Sequence, residues 1–322
     1  MADPLRIVLS TDAPAGLVDR LHSAAPGAQV QVCDSYAALP DVIARFAPQI
    51  VYSVRFAGSD SFPAAALTGP GGPRWIANGG VGIDHFGQWD PARTTLTNAA
   101  GVAAGMMAEY VLGGFLHFTL DVPGLQADKA ARVWRARTVR PLDGQTLLIV
   151  GLGQTGQALA ARAQAFGMTV LGTRARPAPM PNVDAVHAAA ALDDLLPQAD
   201  FVAVCTPLTT ATRGLIGTGQ IAAMKDGAIL ADVSRGGVVD QTALHAALAA
   251  GRLGGAVLDV FEVEPLPADS PLWALDNVIL SPHCSSVYDG WADASFDLFL
   301  DNLNRWQAGQ PLRNVVDPAR GY

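Results

Sequence analysis

The 322-residue chain has only three cysteines, Cys33, Cys205 and Cys284, and none stands at a metal-binding spacing. They are too few for a disulfide framework, so the pattern predicts reduced thiols and no metal centre. Charge is also scarce. Charged residues make up 16% of the chain and the net charge is −8, which argues against a surface built for nucleic acid. No uninterrupted apolar run reaches the ~18 residues expected of a membrane-spanning helix. None of the six histidines falls in an HExxH pattern. Solenoid repeats and low-complexity tracts are absent. Asp3 and Pro4 occupy the place of a basic leader region, so the chain reads as cytoplasmic, with no membrane partner.

Apolar residues are abundant at 50%, enough for two domains with thick cores. Residues 5–9, 29–33, 50–54, 75–77 and 94–97 read as short strands, with helix-like stretches at 15–24 and 39–46 among them. From Gln145 a second series begins, with strands at 147–150, 168–171, 201–205, 229–232, 256–260 and 278–280. This alternation predicts an α/β protein: two Rossmann-like domains with parallel sheets separated by a cleft. The tail from Tyr288 is helical and too short for a domain, so it is assigned back to the first unit. The expected division is 1–103 with 289–322, and 104–288. Met106–Leu120 is apolar almost all round, the mark of a buried helix. Residues 121–143 carry Lys129, Arg132, Arg135, Arg137 and Arg140, and read as a surface helix and an approach loop. Ala188–Ala191 and Ala246–Ala250 read as helix formers.

The most informative run is Leu147–Val150 followed by Gly151-Leu152-Gly153-Gln154-Thr155-Gly156, with a helix expected over Gln157–Phe166. A buried strand, a tight glycine turn and a helix start together make a dinucleotide site. The pyrophosphate rests on backbone N–H groups that side chains at the glycine positions would block.

Three polar residues each follow an apolar strand: Arg235, Glu264 and His283. Taken singly, each has a plain structural reading, as a surface ion pair, a loop acid or a packed histidine. Together they suit acid–base chemistry on an anion. An imidazole can carry a proton near neutrality, a carboxylate can fix its tautomer, and a guanidinium can grip a carboxylate. With a hydride carrier at Gly151–Gly156, the set fits reversible conversion of a 2-oxo acid to a 2-hydroxy acid.

These residues resemble the D-isomer-specific 2-hydroxyacid dehydrogenases, on the glyoxylate/hydroxypyruvate reductase-like branch. The resemblance runs from about Gly79 to Ser286 through Gly80-Val81-Gly82-Ile83-Asp84, Thr97–Gly101, Met107-Ala108-Glu109-Tyr110, Gly151-Leu152-Gly153, Pro207-Leu208-Thr209, Ser234–Gly237, Asp259-Val260-Phe261 and Ser281-Pro282-His283. It implies a flavodoxin-like substrate-binding domain and a nicotinamide-binding Rossmann domain. In it His283 is the proton donor, Glu264 orients it, and Arg235 binds the substrate carboxylate. Backbone N–H groups at Gly80 and Val81 hold the same carboxylate, supported by Asn98. Asp259 meets the nicotinamide carboxamide and Pro207 lines the ring. The residues of the glycine motif, Gly151, Gly153, Gln154, Thr155 and Gly156, hold the pyrophosphate.

One departure carries information. Family members that prefer NAD place an acid 18 positions after the last glycine, whereas this chain has Arg174, between Thr173 and Arg176 two residues on. Guanidinium groups attract a 2′-phosphate, so NADP(H) is expected over NAD(H). Thr155 replaces the aliphatic residue of many relatives and reads mainly as packing. Arg55, Phe56 and Ala57 follow an early strand and suit the pocket wall, though Phe56 suits the core equally well. Trp134 and Trp291 suit a lid or a partner-subunit contact, but aromatic residues of this kind more often serve packing. The resemblance further implies a small 2-oxo or 2-hydroxy acid as substrate and a homodimer, with 106–120 and the basic segment as interface. A nucleotide-sensing interaction protein or corepressor on the same fold is the alternative reading.

Overall fold

The computed structural model describes residues 3–54 and 62–320. The chain divides into two units, Met1–Val102 with Asp289–Tyr322, and Ala103–Tyr288. Arg55, Phe56 and Ala57 lie outside the described residues.

The first unit runs β1 (Arg6–Ser10), α1 (Leu17–Ala24), β2 (Gln29–Cys33), α2 (Leu39–Phe46), β3 (Ile50–Ser53), α3 (Ala64–Thr68), β4 (Trp75–Asn78) and β5 (Thr95–Thr97). Its strands form a parallel sheet in the order β2-β1-β3-β4-β5. Alternate residues of the central strands feed two apolar layers. Ile7, Leu9, Ile50 and Tyr52 pack on one face, while Val8, Val51 and Ile76 pack on the other.

In the second unit, α4 (Ala104–Thr119) and α5 (Val122–Ala131) precede β6 (Thr146–Val150), α6 (Gln154–Ala165), β7 (Thr169–Arg174) and β8 (Ala185–Ala188). There follow α7 (Leu192–Leu195), β9 (Phe201–Val204), α8 (Thr218–Ala223), β10 (Ile229–Asp232), α9 (Gln241–Ala249), β11 (Gly255–Leu258) and β12 (Val278–Leu280). All seven strands are parallel, in the order β12-β11-β10-β9-β6-β7-β8. The chain then returns to the first unit with α10 (Trp291–Gln307), whose Phe296, Phe299 and Leu303 complete one of that unit's layers.

Leu147 and Ile149 of β6 pack with Phe201 and Ala203 on one face, whereas Leu148 and Val150 pack with Val202 and Val204 on the other. Being buried on both faces, these strands read as unbroken apolar runs in the sequence. Helix α4 lays Ala108, Val111, Leu112 and Phe115 into the core of its own unit, as its all-round apolar pattern predicts.

Two local readings need correction. Ala188 closes β8 rather than opening a helix, because pairing with β7 (Arg174 against Ala188) outweighs alanine's propensity. Helix α6 begins at Gln154, three residues before the expected start, because Gly153 sits extended as its N-cap.

The strand order turns back between β6 and β9. In an open parallel sheet this reversal marks where a ligand binds, beyond the carboxyl ends of the strands. The glycine motif follows β6 and Pro207 follows β9, one on either side of the reversal.

Candidate active site

Gly151 adopts φ 104°, and a Cβ there would meet Thr206 N at 2.9 Å, so the turn tolerates only glycine. Gly156 lets α6 approach the turn; its Cβ would come within 2.2 Å of Gly151 O. At Gly153 the space is open, and no side chain caps the N-terminus of α6. Uncapped N–H groups beside open space are what a pyrophosphate needs, so these residues fit a dinucleotide. The Gly151 and Leu152 N–H groups are committed to Thr173 O, at 3.2 and 3.1 Å. Thr173 itself is buried, so its contribution is to brace the turn. Thr155 Oγ1 points to Met107 Sδ at 3.7 Å, in line with a packing role. Arg174 ends β7 half-buried, with Nη1 against Met180 Sδ at 3.1 Å, and Arg176 is exposed. Pro207 is half-buried, its carbonyl accepting from Thr212 Oγ1 at 2.6 Å.

Arg235, Glu264 and His283 follow β10, β11 and β12, three neighbouring strands, so parallel pairing brings their loops to one edge of the sheet. His283 Nδ1 and Glu264 Oε2 are 2.8 Å apart. The carboxylate's other oxygen accepts from Phe261 N at 3.0 Å, which aims it at the ring. With Nδ1 engaged, Nε2 is the nitrogen left for a reacting oxygen. Arg235 Nη1 donates to Ser234 O at 2.7 Å. Ser234 is held in turn by Asp232 Oδ1, through its N–H at 3.0 Å and its hydroxyl at 2.5 Å. Burial pushes the Asp232 carboxyl up to about 7; Asp259 adds to the rise, while the Ser234 bonds and Arg235 oppose it.

Asp259, expected at the carboxamide, is spent on the turn that carries His283. Its Oδ1 accepts from Ser281 Oγ at 2.6 Å, Cys284 N at 2.8 Å and Ser285 N at 3.0 Å, and its Oδ2 from Ser285 Oγ at 2.5 Å. A carboxylate has about four lone-pair directions, so a carboxamide contact would have to share or displace one of these donors. The clamp answers a strain, since His283 is left-handed at φ 52°.

In the first unit, Asn98 is buried and donates from Nδ2 to Val81 O at 2.9 Å. Asn78, at the end of β4, donates to both Gly80 O and Gly82 O at 2.9 Å. These bonds pin the carbonyls of the 80–82 turn and so fix the direction of its peptide N–H groups. Val81 is exposed and Gly80 half-buried.

Sequence reasoning missed the roles of Asn78, Asp232, Ser281 and Ser285. Each ends a strand or lies within five residues beyond one, which is the available signal. Cys205 is pushed up to about 12 by burial, with Asp232 adding to it; burial and then Asp259 raise Cys284 as well. Neither environment favours a reactive thiolate. Among the described residues no cluster of His, Cys, Asp or Glu is suited to a metal, and no helix is long and apolar enough to cross a membrane.

Residues 112–285 match the family model described as D-isomer specific 2-hydroxyacid dehydrogenase, NAD binding domain. A glyoxylate reductase from Korarchaeum cryptofilum is 34% identical over 254 residues, 76% of each chain. Glyoxylate/hydroxypyruvate reductase B of Yersinia pestis is 44% identical over 177 residues, 54% of each chain. The chain thus spans about half the length of some curated relatives, and 47% of a D-3-phosphoglycerate dehydrogenase from Methanocaldococcus jannaschii. Among solved structures, a D-isomer specific 2-hydroxyacid dehydrogenase from Xanthobacter autotrophicus, in complex with NADPH and MES, superimposes with a TM-score of 0.84. It is 30% identical, and the match covers 99% of this chain and all of that one.

Proposed function

Because the chain belongs to the D-isomer-specific 2-hydroxyacid dehydrogenase family, we propose that it reduces small 2-oxo acids to D-2-hydroxy acids at the expense of NADPH. The observation that carries this reading is the His283–Glu264 pair at 2.8 Å, with Arg235 beyond the end of the adjoining strand β10.

When bound, a reduced nicotinamide supplies the hydride that reaches C2 of the substrate. His283 gives a proton from Nε2 to the carbonyl oxygen as the C2–H bond forms, and takes it back in the reverse direction. Glu264 holds Nδ1 and stabilises the ring's charge. Arg235 binds the substrate carboxylate, a fork of donors against two oxygens. In the first unit, the pinned 80–82 turn, supported by Asn98, presents peptide N–H groups suited to a carboxylate. The intact pair of acid and imidazole favours turnover over a purely sensing role.

Arg174 and Arg176 supply the proposed preference for NADPH, by attracting its 2′-phosphate. Comparing kcat/KM for the two cofactors across a panel of 2-oxo acids tests both halves of the reading. Turnover of no panel member would remove the activity, and a clear NADH preference would remove the cofactor assignment. Arg174→Asp replaces attraction with repulsion and should move the NADPH/NADH ratio about 100-fold toward NADH.

The proposal includes a homodimer. With α4 committed to its own core, the segment just after it carries a run of exposed apolar side chains: Leu120, Leu125, Val133, Val139 and the fully exposed Trp134. Arg137 ties this segment together by pairing with both Asp121 and Asp128, and that pairing lowers the Asp128 carboxyl. A self-complementary contact through such a strap suits twofold symmetry. Sedimentation equilibrium should give twice the 33.4 kDa chain mass, and a monomer at micromolar concentration counts against it.

A further inference from the structure

We propose that Tyr110 is a positioning residue for this reaction: acting through Ser281, it braces Asp259 and thereby the turn that presents His283. The inference rests on the reading of His283 as proton donor and adds to it a residue of α4 that touches none of the reacting atoms.

Tyr110 Oη lies 2.6 Å from Ser281 Oγ. Ser281 Oγ lies 2.6 Å from Asp259 Oδ1 and donates to it. A serine hydroxyl has one proton. Since that proton goes to the carboxylate, the bond from Tyr110 must run the other way, phenol O–H to serine oxygen. The order is therefore Tyr110 to Ser281 to Asp259, and each donor polarises the next.

Asp259 is where the backbone on the far side of His283 converges, through the N–H groups of Cys284 and Ser285. Ser281 stands before His283 and its carbonyl accepts from His283 N at 3.0 Å. The left-handed residue is thus gripped from both sides by one carboxylate, whose hydroxyl donor Ser281 is anchored to a long helix. Tyr110 is half-buried, and burial raises its phenol above the ordinary range. The group remains a donor across neutral pH, as the order of the chain requires. Packing of the ring alone would not require the oxygen to be there.

Two readouts test this, one of them independent of activity. In Tyr110→Phe, backbone amides in the peptide spanning 281–287 should exchange with deuterium about fivefold faster, with those of β12 unchanged. In the same variant kcat should fall about fivefold while KM for the 2-oxo acid and for NADPH stays within about twofold. In a Ser281→Ala background, Tyr110→Phe should then have no further effect on kcat, because the link it would break is already gone.

Unchanged exchange overturns the proposal whatever the kinetics. Faster exchange with undiminished kcat overturns it too, as do additive effects in the double variant. A wild-type protein that reduces no 2-oxo acid refutes the proposed activity instead. In that case the exchange measurement still decides whether Tyr110 braces the turn.

Discussion

His283→Asn should lower kcat for 2-oxo acid reduction about 1,000-fold, the middle of the range that a positioned proton donor contributes. Asparagine is the informative substitution because the backbone at His283 is left-handed, with φ 52°. Asparagine accepts that region more readily than most residues, so the clamp by Asp259 need not yield. Its amide can still hydrogen-bond Glu264 in place of Nδ1, but it cannot shuttle a proton. The expected signature is a collapse of kcat with the NADPH dissociation constant, read by cofactor fluorescence, within about twofold of wild type. A variant keeping a tenth of the wild-type kcat would remove His283 from the chemistry. A variant that no longer binds NADPH would point to a disturbed site instead.

Arg235→Lys should lower kcat/KM about 100-fold, mostly through KM for the 2-oxo acid. Lysine keeps the charge but loses the planar fork that meets both carboxylate oxygens. In the structure one arm of the guanidinium is fixed by Ser234 O, and Ser234 is fixed by Asp232, so the fork starts from a set orientation. The control is a ketone of similar size without the carboxylate. On that substrate wild type and variant should differ little, since the group Arg235 recognises is missing. An equal loss on both substrates would assign Arg235 to something other than carboxylate binding.

Much of this architecture is legible because parallel strands buried on both faces are written as apolar runs, and ligand groups collect where those runs end. Leu147–Val150, Phe201–Val204 and Ile229–Asp232 all announce themselves in this way. The edge strand Ala185–Ala188 does not, because it is only partly covered and its alanines suit a helix equally well. The His283–Glu264 pair could be anticipated, since each residue follows a strand and their chemistries fit. The grip of Asp259 on Ser281, Cys284 and Ser285 could not: those contacts span 22 to 26 residues and depend on how two loops fold onto each other. Asn78 escaped notice for a similar reason, as its value lies in which carbonyls it reaches.

Asp232 has a consequence for the molecule as a whole. Its carboxyl is raised from 3.8 to about 7 by its burial. Below pH 3.8 it is neutral in both states and neutral to the balance between them. As pH climbs from 3.8 toward about 7 the unfolded chain releases this proton while the native chain keeps it, so the group increasingly favours unfolding. Above that span the penalty is constant. Chain collapse in mildly acidic solution therefore draws a hydrogen ion out of the medium at this position, and a buffer's own heat of ionisation will be written into the measured enthalpy.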